Sequence, residues 1–299
     1  MRSVWMMRGD GRRGVTGLVA GVIACGATAV GQGAPIPVVN HSFEANFAAP
    51  NSFPVLIPQG WTLVDPNGIL DQTLDAVGVL HPSGGTFFDD EAPDGDNVAL
   101  VFLSGDVGGG VVGLRQNVPA VLAPHTRYTL RVEVGDIESG VGAPPFNVFF
   151  DLDGFPGYQV QLLAGGEVIA QDDNTLAAVL VDGQFLTSTV VLDVGAAHPR
   201  LGQQLGIRMI NLNIPGTAEE PGIEVDFDNV RLDATPIPPV CTGDLNGDGQ
   251  VDTADLVSLL AVFGQTVPAG AGADITGDGV VNTADLTSLL ARFGQGCPN

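Results

Sequence analysis

The chain is 299 residues long and carries 34 acidic against 11 basic residues, a net charge of −23. It contains no lysine, which excludes lysine Schiff-base chemistry and a phosphate-loop lysine. An acidic surface of this density repels nucleic acid and anionic membranes, and suits divalent cations.

Residues 1–31 read as an export signal. Arg2, Arg8, Arg12 and Arg13 form a basic start, and Gly14 to Ala24 is apolar but too short to span a bilayer. Ala27-Thr28-Ala29 or Ala29-Val30-Gly31 would suit ordinary cleavage. Val22-Ile23-Ala24-Cys25 resembles a lipoprotein box, with the signal ending before a lipidated Cys25. Both routes place the mature chain outside the cell, secreted or at the cell surface, with no transmembrane segment. Cys241 and Cys297 remain, an even pair in an oxidising compartment, and are expected to form a disulfide. Closing a loop of that length contributes on the order of 4 kcal/mol.

Residues 36–234 predict an all-β sandwich, jelly-roll-like. Short Val-, Leu-, Ile- and Phe-rich segments alternate with Gly, Pro, Asn and Asp, and no helical period intervenes. Arg127 to Asp136 is the clearest strand: Tyr128, Leu130, Val132 and Val134 share one face. Further strands are predicted at 55–63, 97–103, 111–118, 158–162, 185–194, 205–214 and 223–232. In the last, Ile223, Val225 and Phe227 have one parity, Val230 and Leu232 the other, so a bulge is expected at Asp228-Asn229 that turns Asp228 out of the alternation. Asn40-His-Ser-Phe-Glu44 and Val225-Asp-Phe-Asp-Asn-Val-Arg-Leu232 together resemble the opening and closing strands of carbohydrate-binding β-sandwich modules. That resemblance implies a structural calcium held by Glu44 and Asp228, and carbohydrate as a ligand.

Residues 235–240 form a Pro-rich linker, stiff and extended. Residues 241–299 then contain one unit twice, offset by 30 residues, with 16 of 22 positions identical between 244–265 and 274–295. Each copy is a twelve-residue acidic loop with oxygen-bearing residues at positions 1, 3, 5, 7, 9 and 12 and glycine at 6, the spacing that wraps a calcium ion. The first loop offers Asp244, Asn246, Asp248, the Gln250 carbonyl, Asp252 and Asp255. The second offers Asp274, Thr276, Asp278, the Val280 carbonyl, Asn282 and Asp285. Two ions are expected, the second held more weakly because its loop has three carboxylates against four. Val251 and Val281 are expected to pair as a small bridge between the loops. A helical stripe follows each loop: Leu256, Leu259, Leu260, Phe263, and Leu286, Leu289, Leu290, Phe293.

A calcium loop with one helix, duplicated, with aspartate at position 12, resembles a type I dockerin: a small all-α, calcium-loop duplicated module. The resemblance implies docking to a cohesin-like domain or other surface protein through Thr253-Ala254 and Thr283-Ala284. Familiar dockerins carry more hydroxyl and basic residues there.

No catalytic motif stands out. His41, His81, His125 and His198 are scattered, while Asp89-Asp90-Glu91, Asp94, Asp96, Asp151 and Asp153 read as solvated loops. Trp61, Tyr128 and Tyr158 read as core. The leading expectation is an exported non-catalytic protein, a sandwich carried with a docking module. The alternative is a glycoside hydrolase or an accessory protein in polysaccharide catabolism.

Overall fold

A computed structural model describes residues 33–297 apart from 72–74, 105–108, 143, 145–146, 153, 196, 215–222 and 238–240. The export signal and Cys25 lie outside the described residues. Two antiparallel sheets face each other, as the strand alternation predicts. The first has the order β11 (Gln184–Val194), β6 (Thr126–Asp136), β13 (Glu224–Pro236), β4 (Val98–Phe102), β3 (Ala76–Leu80), and β1 (Ala34–Ile36) also pairs with β13. The second runs β10 (Glu167–Asp173), β9 (Tyr158–Ala164), β12 (Gln204–Asn211), β5 (Val112–Val121), β2 (Thr62–Val64). A two-residue ladder joins β7 (Gly140–Val141) to β8 (Phe149–Phe150).

Between the sheets lies a core of alternate residues. Tyr128, Leu130, Val132 and Val134 of β6 meet Val160 and Leu162 of β9, Ile207 and Met209 of β12, and Phe227 of β13. Each such fully buried side chain contributes about 1.5–3 kcal/mol. Trp61 and Tyr158 belong to this core, so neither offers a sugar-stacking platform. Trp61 also donates its indole N–H to the Asn40 carbonyl at 3.1 Å.

Some expectations shift. Of the 55–63 segment only Thr62 and Leu63 are strand, at the start of β2, because Pro54 and Pro58 lack the N–H donors a ladder needs. Strands β1, β3, β7, β8 and β10 were not predicted; β3 is too glycine-diluted, and β10 too polar, to show alternation. The β13 strand continues through Thr235 and Pro236, paired with Arg127 and Thr126, into residues expected to be linker. The bulge is present, but between Asp228 and Arg231, with Asn229 at φ +48. Asp228 therefore keeps the face of Asp226 and is not turned out of the alternation.

In the C-terminal module, α1 (Thr253–Ala261) and α2 (Thr283–Leu290) each follow a loop. Asp252 and Asn282 cap them, and Asp255 and Asp285 return bonds to the cap N–H groups, satisfying donors that a helix start leaves open. The predicted Val251–Val281 bridge does not form. Val251 donates to the Gln295 carbonyl at 3.0 Å and accepts from the Gly294 N–H at 2.7 Å; Val281 makes the same pair with Gln265 and Gly264 at 2.9 and 2.7 Å. Each loop is thus zipped to the segment that follows a helix, and both valines turn inward to a core with Leu259, Ala273 and Leu289. The expected disulfide is present, Cys241 to Cys297, with Cα atoms 5.4 Å apart. Among the described residues, no helix is long and apolar enough to cross a membrane.

Candidate active site and calcium loops

On β13, Val225 and Phe227 point into the core, so Glu224, Asp226 and Asp228 point to the outer face of their sheet. On that face Asp226 sits between Leu100 of β4 and Gly135 of β6, and Glu224 lies opposite Phe102. The face is not open to water there. Segments after β3 and β6 bring Phe87, Phe88, Ile137 and Leu152 against Leu80, Val98, Leu100 and Ile223 to form a second apolar cluster. Its aromatic content is high: Phe53, Phe102, Phe150 and Phe185 pack on it as well. Phe88 stacks on Phe185 with centroids 4.3 Å apart. Gly135 makes room for this, because a Cβ there would run into the Phe185 ring.

Asp226 is fully buried, and neither of its carboxylate oxygens has a hydrogen-bond donor among the described residues. Glu224 is buried beside it. Loss of hydration, then repulsion from Glu224, a proton shared with it and repulsion from Asp136 hold Asp226 well above the usual carboxylate range. Burial likewise raises Glu224. Asp136, at the end of β6, is pushed up to about 7 by burial and then by Asp182. When both acids are ionised, Asp226 has only acceptors facing it. With one proton between them, the pair satisfies itself and retains an acid able to donate. A carboxylic acid kept neutral in an apolar site at neutral pH is the chemistry of a general acid.

Sequence reasoning did not single out Glu224 or Asp226. A signal was present: Val98-Ala-Leu-Val-Phe102 is apolar at every position, as in a strand covered on both sides. The loop acids Asp89, Asp90, Glu91, Asp96 and Asp151 are exposed as expected; Asp153 lies outside the described residues.

The structure brings Glu44 and Asp228 to the same loop, residues 94–97. Asp228 Oδ2 accepts from the Asp94 N–H at 2.7 Å, and Glu44 Oε1 accepts from the Asp96 and Asn97 N–H groups at 2.8 and 2.7 Å. Asp228 Oδ1 and Asn97 Oδ1 are buried without a donor among the described residues. Burial first, then Asp94 and Glu44, push Asp228 up to about 8. Two orphaned oxygens among three carboxylates fit a hard cation.

In the module, Asp274, Asp278 and Asp285 bring ligand oxygens within 4.8 Å of one another. Asp274 accepts from the Gly270, Gly277, Gly279 and Asp278 N–H groups, which hold its carboxyl below the usual range. In the first loop Asp244 accepts from Gly247 and Gly249, and Asp255 from Leu245, Asn246 and Asp252. Both loops hold their first and last carboxylates by backbone donors, and in the second loop three carboxylates converge as a calcium ion requires. Bound calcium would neutralise these crowded carboxylates.

Residues 34–233, two thirds of the chain, match the HpiC1-like family, HpiC1 cyclase. The chain belongs to the HpiC1-like cyclase family. Three solved cyclases of Fischerella are similar to it. A Stig cyclase from Fischerella sp. TAU in complex with (3Z)-3-(1-methyl-2-pyrrolidinylidene)-3H-indole is 38% identical over 68% of this chain and 98% of that one, with a TM-score of 0.57. A cyclase from the same source in complex with 4-(1H-Indol-3-yl)butan-2-one gives 38%, 68%, 98% and 0.58. An apo cyclase from Fischerella sp. gives 37%, 69%, 98% and 0.58. Among curated proteins none matches.

The β-sandwich is therefore HpiC1-like, and the resemblance to a carbohydrate-binding module is corrected: the short motifs at 40–44, a turn, and 225–232, a central strand, did not single out the family. All of β13 up to Asp233 falls within the HpiC1-like match, Glu224 and Asp226 included. Residues 242–293 match the type I dockerin domain, as the duplicated loops implied. Dockerins bind calcium and dock to cohesin partners, and this chain carries that module after its HpiC1-like domain.

Proposed function

We propose that the sandwich is a cyclase that closes a ring on an apolar, indole-bearing substrate, with Asp226 as the proton donor. The observation that carries this reading is a fully buried carboxyl, without a donor among the described residues, beside a cluster that includes six phenylalanines. Aromatic walls bind a flat, apolar substrate and favour the cationic charge that protonation creates. Asp226 gives its proton, the ring closes on the resulting cation, and loss of a proton from the product restores the acid. Glu224 holds the shared proton in place and Asp136 adds to the field that keeps it there. Membership of the family and the indolic ligands of the Fischerella relatives support the substrate class.

The second part of the proposal is that the C-terminal module tethers this domain to a surface partner once two calcium ions are bound. Thr253, Ala254, Thr283 and Ala284 are exposed. The helical stripes are only half used in packing: Leu259 and Leu289 are buried, while Val257, Leu260, Phe263, Leu290 and Phe293 remain 42–63% exposed. Exposed apolar residues along both helices suit a cohesin-like protein partner. Such a tether fits a secreted or cell-surface protein. A third calcium at Glu44, Asp228 and Asn97 would pin the start of the sandwich to its last strand, beside the proposed acid.

The test is binding of 4-(1H-indol-3-yl)butan-2-one to the full mature chain in calcium, followed by calorimetry. Saturable binding that competes with a hydrophobic indole but not with xylan or cellulose oligosaccharides is expected. Binding of the oligosaccharides alone would overturn the reading in favour of a carbohydrate module.

A further inference from the structure

On the second sheet, away from the acids, one row of outward residues crosses all five strands in register. Thr62 on β2 pairs with Arg115 on β5, Arg115 with Arg208 on β12, Arg208 with Gln161 on β9, and Gln161 with Gln171 on β10. Two arginines directly opposite each other on one face repel, and sheets ordinarily avoid such pairs.

The surroundings make the pair more unusual. The four other described arginines of the sandwich each meet a carboxylate: Arg127 with Asp193 at 2.6 Å, Arg131 with Asp233 at 3.2 Å, Arg200 with Glu167 at 3.9 Å and Arg231 with Glu133 at 2.8 Å. In a chain with 34 acids and 11 arginines, acidic partners are abundant. Yet among the described residues neither Arg115 nor Arg208 forms an ion pair.

The second arginine is also held in place. Gln161, 4% exposed, accepts from Arg208 Nε and donates to Gln159 Oε1 at 2.8 Å and Gln171 Oε1 at 2.9 Å; Gln159 in turn donates to Asp173 at 2.7 Å. This relay of amides uses only the Nε–H of Arg208. Its terminal N–H groups, and the guanidinium of Arg115, have no acceptor among the described residues. Burial and then the nearby Arg115 lower the Arg208 pKa, and Glu167 offsets only part of this.

We propose that Arg115 and Arg208 form a binding site for an oxyanion, a carboxylate, sulfate or phosphate group on a small ligand, separate from the Asp226 site on the other sheet. Two guanidinium groups, one braced by a buried amide, offer the forked donors that grip such a group bidentately. An anion placed between them would cancel the repulsion that the empty pair carries.

The test uses the full mature chain in calcium, titrated separately with sodium glucuronate, inorganic sulfate and inorganic phosphate, with glucose as the neutral control. At least one anion is expected to bind with a millimolar or tighter dissociation constant while glucose does not; the three arms distinguish the sources. Arg115→Gln, at an exposed position, should weaken that binding about tenfold, the loss of roughly one charge-assisted hydrogen bond. The same variant should leave 4-(1H-indol-3-yl)butan-2-one binding unchanged and should melt no lower than the parent without anion, since it removes a repulsion. No binding by any of the three anions, or equal binding by Arg115→Gln, would overturn the proposal. So would a dimer of the parent chain that dissociates on Arg115→Gln, because the pair would then serve an interface.

Discussion

Asp226→Asn is expected to slow ring closure by about a hundred- to ten-thousand-fold, the span by which a positioned general acid accelerates proton transfer. Asparagine has the size of aspartic acid and cannot donate a proton of useful acidity, so the packing around it is kept and the proposed acid is lost. The exposed acids Asp89 and Glu91 provide controls, and Asp89→Asn and Glu91→Gln should leave the rate unchanged. Stability should move the other way. Asp226 has a folded-state pKa above its unfolded value, so its protonated form stabilises the fold fully at acid pH, and that stability is lost as pH rises through the raised value. Asp226→Asn has no such loss, so it should melt higher than the parent at alkaline pH. A rate unchanged from the parent, with the fold intact by circular dichroism, would remove Asp226 from the chemistry.

Chelating calcium is expected to melt α1 and α2, the 9 and 8 helical residues that the module contributes. The physical cause is the crowding of Asp274, Asp278 and Asp285 within 4.8 Å, which repels without a cation. Binding at a thousandfold excess over the dissociation constant stabilises a folded module by about 4 kcal/mol. Helical circular dichroism of the full chain should therefore fall with chelator and return with calcium, and Asp285→Ala should need more calcium for the same recovery. A helical signal indifferent to chelator across a millimolar range would contradict the calcium role.

The module was legible because its information is local. Twelve consecutive residues set the loop, and the next eight or nine set the helix, so spacing alone carries the structure. The disulfide followed from the two cysteines left once Cys25 is set aside with the signal, one just outside each end of the repeat. The strands of the sandwich core were legible from alternation, as at Tyr128 to Val134. The candidate acid site was not, because what buries Asp226 comes from far away in the chain: Phe87 and Phe88 after β3, Ile137 and Leu152 after β6. Alternation shows which residues share a face and is silent on whether that face is covered. The same limit applies to the helices, where Leu260 and Phe263 lie on the predicted apolar stripe and remain exposed for want of a third layer.

The arrangement has a consistent logic. β13 is central in its sheet, so an acid placed on it is desolvated from both sides by β4 and β6. The same strand places Asp228 two residues on, where loop 94–97 and Glu44 close over it. A cation there would hold the end of the strand that carries Asp226.

The protonation state of Asp226 tests the central claim most directly. Infrared difference spectra of the parent chain against Asp226→Asn, in calcium, isolate the carboxyl stretch of this residue. A protonated carboxyl band is expected at pH 7 that is missing from the variant and disappears only as pH rises beyond the ordinary carboxylate range. A band for ionised carboxylate persisting down to pH 5 would contradict it.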